Sequence, residues 1–126
     1  MSWQTYVDSN LIGTGRVHRA AILGLAGGVW ATSAGFTLSA DEQKVILGGF
    51  LKPEMIQASG FRLEGQKYFT ILAGERTIQG KKQANGAVLV KTKQAVLVAE
   101  YHAPTQAAEA TPVVESLADY LISVGY

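Results

Sequence analysis

The 126-residue sequence predicts an α+β fold: a single antiparallel sheet of about seven strands flanked by helices, with the N- and C-terminal helices packed together on one face. Three observations predict the sheet and its cover. Between Phe61 and Tyr101, five short β-prone runs follow one another with separators of only a few residues, and turns that short join antiparallel neighbours. Ala95-Val96-Leu97-Val98-Ala99 is apolar without alternation, so the strand it forms needs cover on both faces. Helices are available to supply that cover, one opened by a capping box at Ser39 and others at the two ends of the chain.

Taken in order, Ser2 is a fitting N-cap for a helix over residues 3–12, with Trp3, Tyr6, Val7 and Leu11 at helical spacing and Gly13-Thr14-Gly15 ending it. Residues 16–26 read as a strand, Gly27-Gly28 as a tight hairpin turn, and Val29–Thr32 as the returning strand. Ser39 and Glu42 form the capping box of a second helix carrying Val45, Ile46, Leu47 and Phe50. That helix stops near Pro53, because the residue before a proline avoids helical angles, and Pro53 opens another short helix to about Ser59. The later strands fall at residues 61–64, 67–73, 76–82, 87–92 and 95–101, and Ala84-Asn85-Gly86 carries the strongest hairpin signal between them. Thr111 reads as the N-cap of the last helix, with Pro112 in the first position, where its missing N–H costs nothing. Val113, Val114, Leu117, Ala118, Leu121 and Val124 then form an apolar stripe, with Glu115, Ser116, Asp119 and Ser123 facing outward.

Length fits one domain over residues 1–126, and 48% hydrophobic against 17% charged residues describes a folded chain rather than a disordered one. No run approaches a membrane span, the start shows no secretory signal, and the absence of Cys agrees with a reducing compartment, so a cytoplasmic location is expected. The formal charge of +1 is unevenly spread: residues 62–93 hold seven basic against two acidic residues, which leaves −4 on the remainder. From Gln94 onward there are four acidic residues and no basic one. A basic surface built by the middle strands suits an acidic protein partner or anionic lipid heads, or is a solvated sheet face. Nucleic acid fits less well, because the excess is modest and no recognition motif accompanies it.

Catalytic chemistry finds no foothold. His18 and His102 have no Cys and no close His partner in the sequence, so both read as exposed strand residues and no metal site is expected. There is no G-x-S-x-G elbow and no P-loop; Gly13-Thr14-Gly15 and Gly24-x-x-Gly27-Gly28 read as turns. No cofactor and no enzymatic activity are expected.

The positive signal is aromatic. Trp3, Tyr6, Trp30, Tyr120 and Tyr126 come to one edge if the terminal helices lie side by side on the sheet. A shallow row of rings recognises a polyproline II helix: proline rings pack on the aromatic faces, Trp N–H and Tyr O–H groups bond the free carbonyls, and the ligand is stiff before it binds. Core packing is the competing account, most seriously for Trp30 and Tyr6, while Tyr126 after Gly125 fits the open groove better.

The opening Met1-Ser2-Trp3-Gln4-Thr5-Tyr6-Val7-Asp8, Gly65-Gln66-Lys67-Tyr68, Ile78-Gln79-Gly80-Lys81-Lys82, Lys91-Thr92-Lys93-Gln94 and the closing Val114-Glu115-x-Leu117-Ala118-Asp119-Tyr120-Leu121 resemble profilin of the fungal and plant type, over the whole chain. The resemblance implies binding of monomeric actin and regulation of its polymerisation, and binding of proline-rich segments of formin-type partners. It also implies phosphatidylinositol bisphosphate binding in competition with actin, and a cytoplasmic, cytoskeleton-associated protein. It carries the five aromatic residues onto the proline site. The actin face it implies comprises Arg76, Lys81, Lys82, Lys91, Lys93, Thr111 and Glu115, with Arg76, Lys81 and Lys82 for the lipid. Leu72 stands where budding-yeast relatives have a basic residue, Gln79 where an aromatic is found, and Thr111-Pro112 replaces a polar or basic pair. Two other readings stay open: an adaptor for proline-rich partners without actin binding, and a small-ligand sensor.

Overall fold

The computed structural model describes residues 2–126. The first helix, α1, starts behind the Ser2 hydroxyl, which accepts the Thr5 N–H at 3.2 Å. It is α-helical over Trp3–Thr5, π-helical over Tyr6–Leu11 and 3₁₀-helical over Ile12–Thr14, and Gly15 closes it in the left-handed region at φ 76°. A single 3₁₀ turn carries the helix two residues beyond the expected end at residue 12, and Gly15, the last residue of the expected Gly13-Thr14-Gly15 stop, terminates it. Helix α2 (Ala40–Leu51) has the predicted capping box, Ser39 Oγ accepting from Glu42 N and Glu42 Oε1 from Ser39 N, and α3 (Pro53–Ser59) follows it through Lys52.

Seven strands make one sheet: β1 (Arg19–Gly24), β2 (Val29–Thr32), β3 (Phe61–Leu63), β4 (Gln66–Ala73), β5 (Thr77–Lys82), β6 (Asn85–Lys91) and β7 (Ala95–Tyr101). Their order is β2-β1-β7-β6-β5-β4-β3, with every neighbouring pair antiparallel. The run expected as a strand over residues 16–26 is shorter at both ends, β1 covering Arg19–Gly24, and the Leu25 N–H bond to Gln94 O carries the pairing with β7 one residue further. The hairpin beyond is wider than a two-residue turn. The Gly24 N–H reaches Gly28 O at 2.9 Å, and Gly27 and Gly28 both hold positive φ.

Two expectations are corrected. Asn85-Gly86 is not a turn: Lys82 pairs with Asn85, so Gln83-Ala84 forms the bend, with Gln83 at φ 56°. Gly86 sits inside β6 because a Cβ there would lie 2.2 Å from the hydroxyl of the buried Tyr101. Its glycine serves packing, not chain reversal. The last helix, α4 (Ala107–Ser123), starts well before Thr111: Gln106 is the N-cap, and its N–H donates to Glu109 Oε1 at 3.1 Å. Thr111 and Pro112 therefore lie inside the helix. An interior proline costs about 3 kcal/mol. Val114, Leu117 and Leu121 are buried on the sheet, at roughly 1.5–3 kcal/mol each, so the apolar stripe outweighs the proline.

The sheet divides two cores. On one side α1 and α4 lie together, Val7 and Leu11 meeting Val114, Leu117 and Leu121 over Ile22, Val88, Val90 and Leu97. On the other, Ile46, Phe50 and Ile56 of α2 and α3 cover Leu23, Ile78, Leu89 and Val98. Every residue of β7 is buried, as its unbroken apolar pattern predicts. Within it stands Glu100, bonded by Arg19 Nε (2.7 Å), Arg19 Nη2 (2.9 Å) and the Tyr68 hydroxyl (2.5 Å). Burial pushes its carboxyl up, but the hydrogen bonds of Arg19 and Tyr68 and the Arg19 charge outweigh that and hold it below the usual range.

Replacing Gly86 by Ala is expected to destabilise the protein by about 1–3 kcal/mol through overpacking against Tyr101. Urea unfolding measures this, and an unchanged midpoint would mean that the ring yields freely.

Candidate functional site

All five aromatic residues converge. Trp3 is the hub: its ring centroid is 4.6 Å from Trp30, 4.9 Å from Tyr126 and 5.6 Å from Tyr6, and Tyr6 lies 6.0 Å from Tyr120. Each ring has its own local cause. The Gln4 side chain donates to Thr32 O at 2.8 Å and pins the start of α1 to β2, beside Trp30. Trp30 folds across β1 because Gly24 has no side chain; a Cβ there would be 2.6 Å from the indole nitrogen. Gly125 turns the chain at φ 97°, and Tyr126 O accepts from Gln94 N at 2.6 Å and Thr92 Oγ1 at 2.7 Å, so the final ring is tied to the β6–β7 turn.

Trp3, Tyr6 and Trp30 are half-buried, one side against the α1/α4 core, so core packing and a surface row are both true of them. Tyr120 and Tyr126 are 48% and 42% exposed. Ring–ring contacts at these distances contribute about 0.5–1.5 kcal/mol per pair beyond burial, so the rings support one another before any ligand arrives. The Tyr120 hydroxyl beside Tyr6 holds the Tyr6 phenol above its ordinary value.

A second surface forms where the sheet outruns its cover. Helix α4 packs over β6 and β7 and leaves the same face of β5 and β4 open. Gln79 and Lys81 of β5 pair with Leu72 and Phe69 of β4, so these four share that face. Gln79 also lines a groove against α4 with Thr111, Pro112 and Glu115. Lys81 lies over the Tyr101 ring at 5.7 Å. Arg76 reaches Asp119 at 2.7 Å and Glu115 at 2.9 Å, while Lys91 and Lys93 border the same depression as Arg76 beside Ile122. Among the described residues, the buried side-chain polar atoms without a partner are Arg76 Nε and Thr111 Oγ1, both at this surface. Lys82 is not brought in: Gly80, two residues before it, faces Phe61 and Tyr68 in the opposite core, and strand alternation sends Lys82 that way. Arg76, Lys81 and Lys82 thus form no single cationic patch.

Phe69, Ile71 and Leu72 are 67%, 58% and 49% exposed, and the sequence reading did not single out Phe69 or Ile71. A bulge between Thr70 and Leu72 breaks the alternation and turns adjacent apolar residues toward solvent. The available signal was the run Phe69-Thr70-Ile71-Leu72, too apolar for a half-exposed strand. The histidines also depart from expectation. The β1–β7 register stacks His18 on His102, ring centroids 3.9 Å apart, although 84 residues separate them in the chain.

The family model for Profilin matches residues 1–126. The chain is 52% identical to Profilin-1B of Acanthamoeba castellanii over 126 residues, and 50% identical to the profilin of Schizosaccharomyces pombe over 127 residues, with all of each chain covered. The solved structure of Acanthamoeba castellanii profilin IB superposes with a TM-score of 0.96 at 50% identity, covering 99% of this chain and 100% of that one. A mouse profilin IIa structure, in complex with a double repeat from the FH1 domain of mDia1, shares the fold at a TM-score of 0.84 and 24% identity, covering all of both chains.

The Gly24→Ala substitution is expected to displace the Trp30 ring and shift the tryptophan emission while leaving the far-ultraviolet circular dichroism unchanged. An unaltered emission spectrum would show that Gly24 does not seat the ring.

Proposed function

Since the chain belongs to the profilin family, we propose that it binds monomeric actin, regulates actin polymerisation and docks proline-rich segments of formin-type partners, acting in the cytoplasm with the cytoskeleton and without enzymatic activity. The single observation that carries the proline half is the convergence of Trp3, Tyr6, Trp30, Tyr120 and Tyr126 into one half-open row. A polyproline II helix has three residues per turn and no internal hydrogen bonds, so its carbonyls are free for the indole N–H and phenol O–H donors. Both partners are ordered beforehand, so little conformational entropy is lost on docking.

The actin half rests on the uncovered part of the sheet. Phe69, Ile71 and Leu72 provide exposed apolar area of the kind an interface core needs, and Lys81, Lys91 and Lys93 provide charge around it. Thr111 and Glu115 form the wall contributed by α4. The Arg76 ion pairs with Glu115 and Asp119 are partly exposed, and pairs of that kind contribute about 0–1 kcal/mol, so a partner can rearrange them at low cost. The lipid reading is the less supported, since Lys82 turns from Lys81 and Leu72 is apolar.

Titration with poly-L-proline is expected to give a saturable change in tryptophan fluorescence that Trp3→Ala removes while the fold persists; retention of the change in that variant would place the ligand elsewhere. Charge reversal at Lys81 and Lys91 is expected to weaken actin sequestration in a polymerisation assay and leave the proline response intact. Undiminished sequestration would mean that the actin face lies on other residues.

A further inference from the structure

His18 and His102 belong to neither surface described above. They flank the β1–β7 ladder, where Arg19 pairs with Glu100 and the His18 N–H donates to Glu100 O at 2.7 Å. This places the two imidazoles face to face, planes 25° apart, at the end of β1 away from Gly24 and Trp30. One ligand atom from each of His18, His102 and Glu100 lies within 4.8 Å of the other two.

The surroundings of this pair resemble those of metal-binding histidines. The Glu100 carboxylate is fully engaged. Oε1 meets Arg19 Nε at 2.7 Å and His102 Nε2 at 2.9 Å, and Oε2 meets Arg19 Nη2 at 2.9 Å and the Tyr68 hydroxyl at 2.5 Å. A carboxylate so occupied has no lone pair to spare for a cation. It does orient His102: Nε2 lies 2.9 Å from Oε1, and the tautomer that donates to that oxygen leaves Nδ1 with its lone pair. That is how a buried carboxylate fixes the tautomer and raises the basicity of a metal-bound imidazole. His18 is exposed, and the proposed site needs its ring to turn from the stack to bring a nitrogen toward the same ion. The local charge permits a cation, because Arg19 is paired with both Glu64 and Glu100, one positive group against two negative.

We propose that His18 and His102, oriented by Glu100, form a surface site for a divalent transition metal of the class that imidazole prefers, Zn²⁺ or Cu²⁺, with water completing its coordination. The site ties the start of β1 to the segment between β7 and α4. It is independent of the aromatic row and of the open sheet face.

Calorimetric titration of the full-length protein with Zn²⁺, and electron paramagnetic resonance of its Cu²⁺ adduct, test this. Saturable one-to-one binding is expected, with imidazole nitrogen couplings in the Cu²⁺ spectrum. His18→Ala and His102→Ala should each abolish it, while circular dichroism and the response to poly-L-proline stay unchanged. His18 is exposed, so its removal leaves the core intact and separates loss of the ligand from loss of the fold. Absence of one-to-one binding, or binding that survives His18→Ala, overturns the proposal.

Discussion

The rest of the molecule hangs on β7, a strand whose seven residues are all buried. It pairs with β1 on one side and β6 on the other, so the first hairpin is joined through it to the meander of β3 to β6. Its two faces meet the two helical layers, Leu97 and Ala99 toward α1 and α4, Val96 and Val98 toward α2 and α3. A strand in this position must be apolar throughout, and Glu100 is the exception that Arg19 and Tyr68 compensate. Removing Arg19 would leave the Glu100 charge buried without its ion-pair partner, at a penalty of about 3–5 kcal/mol. The same ion pair locks the register of β1 against β7, and that register brings Gly24, hence Trp30, to the end where the terminal helices meet.

How much of this was readable from the chain depends on the range of the interaction involved. The capping box at Ser39 and Glu42, the break at Pro53 and the doubly covered strand at residues 95–99 are local or compositional signals, and each appears in the fold as expected. The errors arise where a distant residue decides. Asn85-Gly86 has the chemistry of a turn, yet Tyr101 needs the space beside Gly86 and moves the bend to Gln83-Ala84. Thr111-Pro112 has the chemistry of a helix start, yet burial further along α4 and the cap at Gln106 extend the helix back across it.

The candidate sites divide in the same way. Aromatic residues near both ends of the chain were conspicuous by type, so the row was foreseeable once the terminal helices were placed together, and the structure adds the Gly24 clearance and the tether at Gln94. The basic residues were visible as an excess of charge, but charge counts carry no direction. Only the pleat separates Lys81 from Lys82, and only the packing of α4 beside β5 brings Asp119 to Arg76. The stacking of His18 on His102 follows from strand register, which no local feature of the sequence specifies.

The bulge at Ile71 has a bearing on solubility. β3 pairs with β4 only as far as Tyr68, so from Phe69 onward β4 is a sheet edge, and an apolar one. A regular edge of that composition would offer its free N–H and C=O groups to a strand from another molecule and seed aggregation. The extra residue puts the edge out of step with any flat incoming strand and increases its twist. The distortion that turns Ile71 and Leu72 outward thus also guards against strand addition, so the surface can remain apolar without becoming a template for assembly.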